Sequence, residues 1–470
     1  MLRQSSSPHR SNDIMPAASN HASHRVRRLG MAVATSLVSK TGSIVLQIIA
    51  IPVAVRVLGF EMFGVYAALT TAWACVSLTG IGVGPGLTKA IARAHAAGDR
   101  GSEQMYFTTA LFLLTAAGLF AGGVVYSVFA YVPGAILFGA QFAPHQAIIN
   151  TCAPMLAAFI AAETLLSVVE RTQAGYQEMH RANLWGASGN LVGGVLLLTG
   201  IHHFPTVPFL IIAVIGMQLM SRAGNAIQMI GWHRRYLLAH PFVFCSSKAR
   251  ELISDGLAFT AAQSVAPLLM REGCKLLASH LGGPAAAGVY AVLNQIGTFI
   301  GGFIFMVTAP VWPALMDAAA RHDYLWFNKT RRRLWTALFA YVGTAGIVLT
   351  LFGSWIIERW LGGHVHISTA VLFAYSCYYI LSSWEHVNYV CLTGLGALVS
   401  PGIIILAEAV SALFAGWLGM QRAGIEGLLW GVCLVMAVMS AWWFPYLLLH
   451  RMRVWKNVST ISLSESVVNV

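Results

Sequence analysis

Charge is scarce in this chain of 470 residues: 10% are Asp, Glu, Lys or Arg, against 57% hydrophobic residues and a mean hydropathy of +0.68. Soluble globular domains carry about 25% charged residues, so a soluble fold is excluded. Cysteine is sparse too, at seven, with no CxxC and no histidine at zinc spacing, which leaves no disulfide framework and no metal site to expect. Alternating strands of about ten residues are missing, and with them the case for a barrel. Nucleophile, base and orienter do not occur together and no ATP-binding signature is present. Neither catalysis nor a cofactor is expected. "GVGPG" at Gly82 to Gly86 resembles a phosphate-binding run, but no strand precedes it.

What the chain has instead is long apolar blocks. About twenty apolar residues cross roughly 30 Å of hydrocarbon. Twelve blocks meet that length, at about 30–56, 62–84, 105–131, 146–169, 182–200, 207–231, 252–280, 286–313, 334–357, 367–391, 400–418 and 425–449. Helices satisfy their own backbone in lipid, so the expected fold is an all-α polytopic membrane protein. "VRRLGMAVA" at Val26 to Ala34 has a twin arginine, but the apolar run continues through a whole span and is taken as the first helix.

The formal charge of +12 is distributed unevenly. With the N-terminus inside, the outer loops carry only Arg56, Arg359 and Arg422, and Lys40, Arg222, Arg271 and Lys275 lie within spans; every other Lys and Arg falls on a cytoplasmic segment. The positive-inside rule then puts both termini in the cytoplasm. The basic excess is a topology signal with added attraction to membrane lipids, and nucleic acid is not expected as a partner.

One phrase occurs twice, as "GVYAAL" in Gly59 to Leu69 and as "GVYAVL" in Gly283 to Leu293. The offset that carries Gly59 onto Gly283 persists beyond the phrase: Asp99 falls on Asp323, and the basic stretch Lys89 to Gly98 falls on Pro313 to His322. This is an internal duplication. It divides the chain into an N-terminal tail at 1–28, a six-helix bundle at 29–232, a linker at 233–251, a second six-helix bundle at 252–450 and a C-terminal tail at 451–470. Units with an even number of spans enter the membrane from the same side, giving parallel repeats with a transport path at their interface. The phrase itself serves as a ruler, its small residues suiting close helix packing, as do the GxxxG pairs Gly118/Gly122, Gly189/Gly193 and Gly297/Gly301.

Applied to the first helix of each half, the ruler finds two polar faces. Ser36, Lys40, Ser43 and Gln47 follow helical spacing, and the same offset carries them onto Thr260, Ser264, Pro267 and Arg271, with Lys275 one turn further. A cation inside a span costs roughly 2.5–3.5 kcal/mol on insertion scales. Lys40, Arg222, Arg271 and Lys275 are therefore the candidates for an anionic headgroup, arginine forking onto phosphate oxygens and lysine adding a point charge. Ser36, Ser43, Gln47, Thr260 and Ser264 are candidates for bonding sugar hydroxyls. Glu163 and Glu408 are candidates for ion coupling, with structural pairing as the alternative.

"VRVLGFEMFGVYAALTTAWACVSLTGIGVGPGLTKAIARAHAAGD", Val55 to Asp99, resembles the N-terminal signature of the polysaccharide-transporter flippases of the multidrug/oligosaccharidyl-lipid/polysaccharide (MOP) superfamily. "ERTQAGYQEMHRANLWG", Glu170 to Gly186, is similar to the same family. The resemblance implies a V-shaped pair of bundles in a bacterial cytoplasmic membrane. It implies flipping of undecaprenyl-diphosphate-linked oligosaccharides from the inner to the outer leaflet by alternating access, for surface or exopolysaccharide synthesis. A polysaccharide polymerase and chain-length proteins are the implied partners. A cation-coupled multidrug exporter of the same superfamily is the rival, though the first span offers it no acidic residue. A membrane polysaccharide polymerase is a third reading, weakened by outer loops no longer than about 14 residues, at Val132 to His145.

Overall fold

The computed structural model describes residues 42, 44–46, 48–73, 83–238, 244–260, 265–397 and 399–468, by backbone alone at 255–260, 309, 310, 313, 399 and 456–468. Among the described residues every regular element is helical. The first half runs through α1 (Ile44–Leu58), α2 (Phe60–Leu69), α3 (Val83–Ala96), α4 (Arg100–Tyr131), α5 (Gln146–Gly175), α6 (Met179–Gly200) and α7 (Val207–His233). The second runs through α8 (Ser246–Thr260), α9 (Cys274–Ala320), α10 (Tyr324–Trp360), α11 (Thr369–Gly394) and α12 (Val399–Val468). Among the described residues six helical runs are long and apolar enough to cross a membrane, so this is a multi-pass membrane protein.

Two of the long helices are broken. Gly283, at φ 73°, interrupts α9, and Ala423 and Gly424 interrupt α12. Both breaks fall where the apolar blocks of the sequence separate. Within the block expected at 252–280, α8 is described as far as Thr260, and a π-helical turn at Leu269–Gly273 leads into α9.

Alternation of helix direction sorts the connections into two ends. The loops at 132–145, 201–206 and 361–368 and the breaks at Gly283 and Gly424 share one end, which is poor in arginine. The turns at 97–99, 176–178, 321–323 and 395–397 share the other, basic end.

At the basic end the repeat is visible as geometry. Asp99 caps α4 by accepting from the Ser102 amide at 3.0 Å, and Asp323 caps α10 by accepting from the Trp326 amide at 3.0 Å. Before each cap stands a left-handed residue, Gly98 at φ 69° and His322 at φ 58°. The Asp99 amide donates to the Ala94 carbonyl and the Asp323 amide to the Ala318 carbonyl, closing both preceding helices in one way. Asp99 and Asp323 are thus capping residues, which accounts for their place in the repeat.

Packing follows the small residues. A Cβ on Gly118 or Gly122 would come within 2.9 or 2.6 Å of an α5 carbonyl, so α4 and α5 approach as the GxxxG spacing predicts. Phe120, Leu351 and Val438, on α4, α10 and α12, are exposed, as a surface facing lipid requires. One apolar cluster joins the halves: Ala54, Val55 and Phe63 pack with Tyr290, Leu293 and Leu361 near the arginine-poor end.

Candidate functional site: a cavity between the two halves

The same end is closed by contacts between the halves. The Gly64 Cα lies against the Pro284 carbonyl, and a Cβ on Gly288 would sit 2.9 Å from the Phe60 ring. Gly139 meets the His280 backbone, Gln141 meets Gly283, and the Trp360 indole N–H donates to the Ile48 carbonyl at 2.8 Å.

Beneath this seal lies a cavity of about 300 Å³. Ala50, Ile51 and Ala54 of α1 form one side, with Phe63, Tyr66, Ala67 and Thr70 of α2 and its following turn. Across from them stand Ala291, Asn294, Gln295 and Thr298 of α9. Ala67 pairs with Ala291, and Thr70 with Asn294, under the offset that relates the repeats, so the two halves contribute matching positions. The repeated phrase is therefore part of the wall as well as a ruler. Its alanines leave room, and the turn after it supplies polar groups.

The charged side chains come from the π-helical turn and the start of α9. Arg271 and Lys275, both expected here from sequence, line the cavity together with Glu272. Arg271 Nε donates to Glu272 Oε1 at 2.9 Å, and Lys275 Nζ lies 2.6 Å from Glu272 Oε2. Two cations share one carboxylate, leaving one positive charge in excess. Lys275 is buried, while the Arg271 side chain is 58% exposed toward the open space. A π turn carries one extra residue, which rotates Arg271 and Glu272 relative to an α-helical course. Glu272, which was not among the residues expected from sequence, thereby stands in the wall beside Arg271.

Other expected residues lie elsewhere. Arg222 of α7 is not in the cavity wall: it pairs with Glu163 and, at 3.4 Å, with Glu170, both of α5. The same contact occupies Glu163. Glu408 of α12 is buried beside Glu385 of α11, away from the cavity lining. Ser36, Lys40, Ser43, Gln47 and Ser264 lie outside the described residues, and Thr260 is described by backbone alone. Asn294, Gln295 and Thr298 were missed in the sequence, although polar residues one and four apart in an apolar block were the available signal. Among the described residues no group of three His, Cys, Asp or Glu is placed to hold a metal.

At the basic end the second half touches the first through α8. Glu251 pairs with Arg93 of α3, accepts from the Tyr106 hydroxyl at 2.7 Å and lies 3.7 Å from Lys248, which itself donates to Tyr106 at 2.8 Å. Gly86 packs against the Leu252 backbone. The Tyr106 and Arg93 hydrogen bonds, with the charge of Arg93, hold the Glu251 carboxyl below its ordinary value. Nearby, the buried Glu103 carboxylate accepts from the Tyr176 hydroxyl at 2.7 Å and from the Tyr236 hydroxyl, and lies 3.0 Å from His95 Nδ1.

The helical arrangement is similar to solved transporters. An "inward-facing conformation of a multidrug resistance MATE family transporter of the MOP superfamily" aligns with a TM-score of 0.71 at 16% identity, covering 90% of this chain and 99% of that one. An outward-facing structure of a multidrug resistance MATE family transporter aligns at 0.57 and 15% identity, covering 88% and 96%. A Pyrococcus furiosus MOP superfamily transporter, described as having a "reverse polarity of binding pocket" that "suggests different function", aligns at 0.57 and 15% identity, covering 88% and 96%. These likenesses show the MOP transporter fold. None of the curated proteins compared with the chain matches it. The model of the family described as "Polysaccharide biosynthesis protein" matches residues 30–318, more than half of the sequence, and the chain belongs to that family.

Proposed function

We propose that this protein flips undecaprenyl-diphosphate-linked oligosaccharides from the inner to the outer leaflet of a bacterial cytoplasmic membrane. The observation that carries this reading is the excess positive charge of Arg271 and Lys275 over Glu272, in a cavity shared by both halves. A diphosphate displaces part of the Glu272 pairing and takes bidentate bonds from Arg271. Tyr66, Thr70, Asn294, Gln295 and Thr298 offer sugar hydroxyls the hydrogen bonds lost with water. Lys40 and the polar face at Ser36, Ser43, Gln47, Thr260 and Ser264 belong to the same proposed path. Family membership in polysaccharide biosynthesis supports the substrate class, and a pocket of reversed polarity in a P. furiosus relative of the same fold is a parallel.

In this reading two parallel six-helix bundles, 29–232 and 252–450, rock about the cavity, and both termini are cytoplasmic. The seal at Gly64, Pro284, Phe60 and Gly288 is then the closed outer gate of an inward-facing state. A polysaccharide polymerase and chain-length proteins would receive the product. For ion coupling, Glu408 is the better candidate of the two carboxylates, since it is buried beside a second carboxylate, Glu385, whereas Glu163 is held by Arg222. The second reading, cation-coupled multidrug export, draws on the MATE transporters of similar fold. The deciding experiment is leaflet accessibility of lipid-linked oligosaccharide in cells with and without the protein. Drug resistance conferred on a sensitive host, with no change in accessibility, would favour the exporter.

A further inference from the structure

At the basic end of the second half, remote from the central cavity, a second hollow of about 680 Å³ opens between the turns that follow α9 and α11 and the last part of α12. Leu395, Leu447 and Val454 make one wall apolar, and His322, His450 and Arg451 supply basic groups. None of the lining residues is acidic.

His322 is the informative residue. Its backbone is left-handed, and its counterpart in the first repeat, Gly98, makes the same turn without a side chain. The second half therefore keeps an imidazole where the turn itself favours glycine. That imidazole is fixed in place: the Trp455 indole N–H donates to His322 Nδ1 at 3.2 Å, which leaves the ring proton on Nε2. Trp455 is itself packed on Tyr324 and Phe327, with ring centroids 5.8 and 5.7 Å away. His450 stacks on Tyr446 at 6.1 Å. The basic groups are thus held by aromatic packing, with Arg451 exposed beside them.

We propose that this hollow binds the headgroup of an anionic phospholipid. The phosphate lies against Arg451 and the two imidazoles, and an acyl chain runs along Leu395, Leu447 and Val454. An apolar wall beside a basic group suits an amphiphile, whereas free phosphate uses only the basic side. The depth fits as well, because the hollow lies where the last apolar block gives way to a basic segment, the level at which lipid headgroups meet basic clefts between helices. The site is independent of what the central cavity carries.

Native mass spectrometry of the detergent-purified full chain, with phosphatidylglycerol, phosphatidylcholine or inorganic phosphate added, tests the proposal. The wild type should retain phosphatidylglycerol about fivefold or more better than phosphatidylcholine, a preference expected from about one cation at the headgroup. Arg451→Glu should abolish it. His322→Gly, which restores the residue type of the first-half turn and so spares the backbone, should weaken it about threefold. Equal retention of the two lipids, competition by inorganic phosphate at lipid concentrations, or an unchanged preference in both variants would each overturn the proposal.

Discussion

Gly64 packs against the carbonyl of Pro284, and Gly288, its counterpart in the second repeat, packs against the ring of Phe60. Pro284 and Phe60 are themselves counterparts under the same offset, so one contact is made twice with the halves exchanged. The position of a Gly64 Cβ is already filled by backbone, and Gly64→Val forces α2 and α9 apart. Overpacking of this kind costs about 1–3 kcal/mol. In a cysteine-free background carrying Asn294→Cys, Gly64→Val should speed labelling by a membrane-impermeant thiol reagent added at the arginine-poor side. Labelling as slow as without Gly64→Val would contradict a seal at this contact.

Arg222 and Glu163 make a pair within the first half, and Glu163 is buried. Removing the arginine alone strands a carboxylate. Arg222→Met should therefore destabilise the protein, by on the order of 3 kcal/mol, and Arg222→Met with Glu163→Leu should recover much of the loss. Thermal unfolding of the single and double variants measures the coupling. Additive losses would mean that the two residues act separately.

The clasp on Glu251 predicts a pH dependence. A carboxyl whose value is lowered in the folded state stabilises fully above its ordinary value and loses that contribution as pH falls through the lowered one. Hydrogen exchange of Ser246–Thr260 should stay slow near neutrality and accelerate, beyond the intrinsic trend, as pH drops below the ordinary glutamate range. Glu251→Gln should show the faster exchange already at neutral pH. A variant indistinguishable from wild type there would remove the clasp from the account.

Much of this was legible beforehand, for identifiable reasons. Apolar block length gave the all-helical, membrane-spanning character, and the repeat offset located Asp99 with Asp323, because duplicated sequence repeats its local geometry; the cavity pairs Ala67/Ala291 and Thr70/Asn294 obey the same offset but carried no charge to mark them as a wall. Arg271 and Lys275 were found from periodicity, since one helical face suffices to bring them together. The pairing of Arg222 with Glu163, by contrast, depends on how α5 meets α7, which no local pattern encodes. Glu272 was missed because a π turn breaks the α-helical period that spacing arguments assume.

Glu272 should moderate the cavity. Glu272→Gln removes the carboxylate that Arg271 and Lys275 share, leaving both cations free for an anion. Detergent-purified Glu272→Gln should bind a soluble diphosphate more tightly than wild type, and Arg271→Ala should bind it more weakly. Isothermal titration reads both directions, and weaker binding by Glu272→Gln would show that the carboxylate helps to hold the anion.

The most direct test of the central claim is leaflet accessibility of lipid-linked oligosaccharide in cells lacking the native protein and supplied with wild type or with Arg271→Ala plus Lys275→Ala, at matched membrane levels. Loss of charge-assisted bonds to a diphosphate predicts outer-leaflet appearance slowed about tenfold or more in the double variant. Appearance at the wild-type rate would contradict the assignment of this cavity as the diphosphate site.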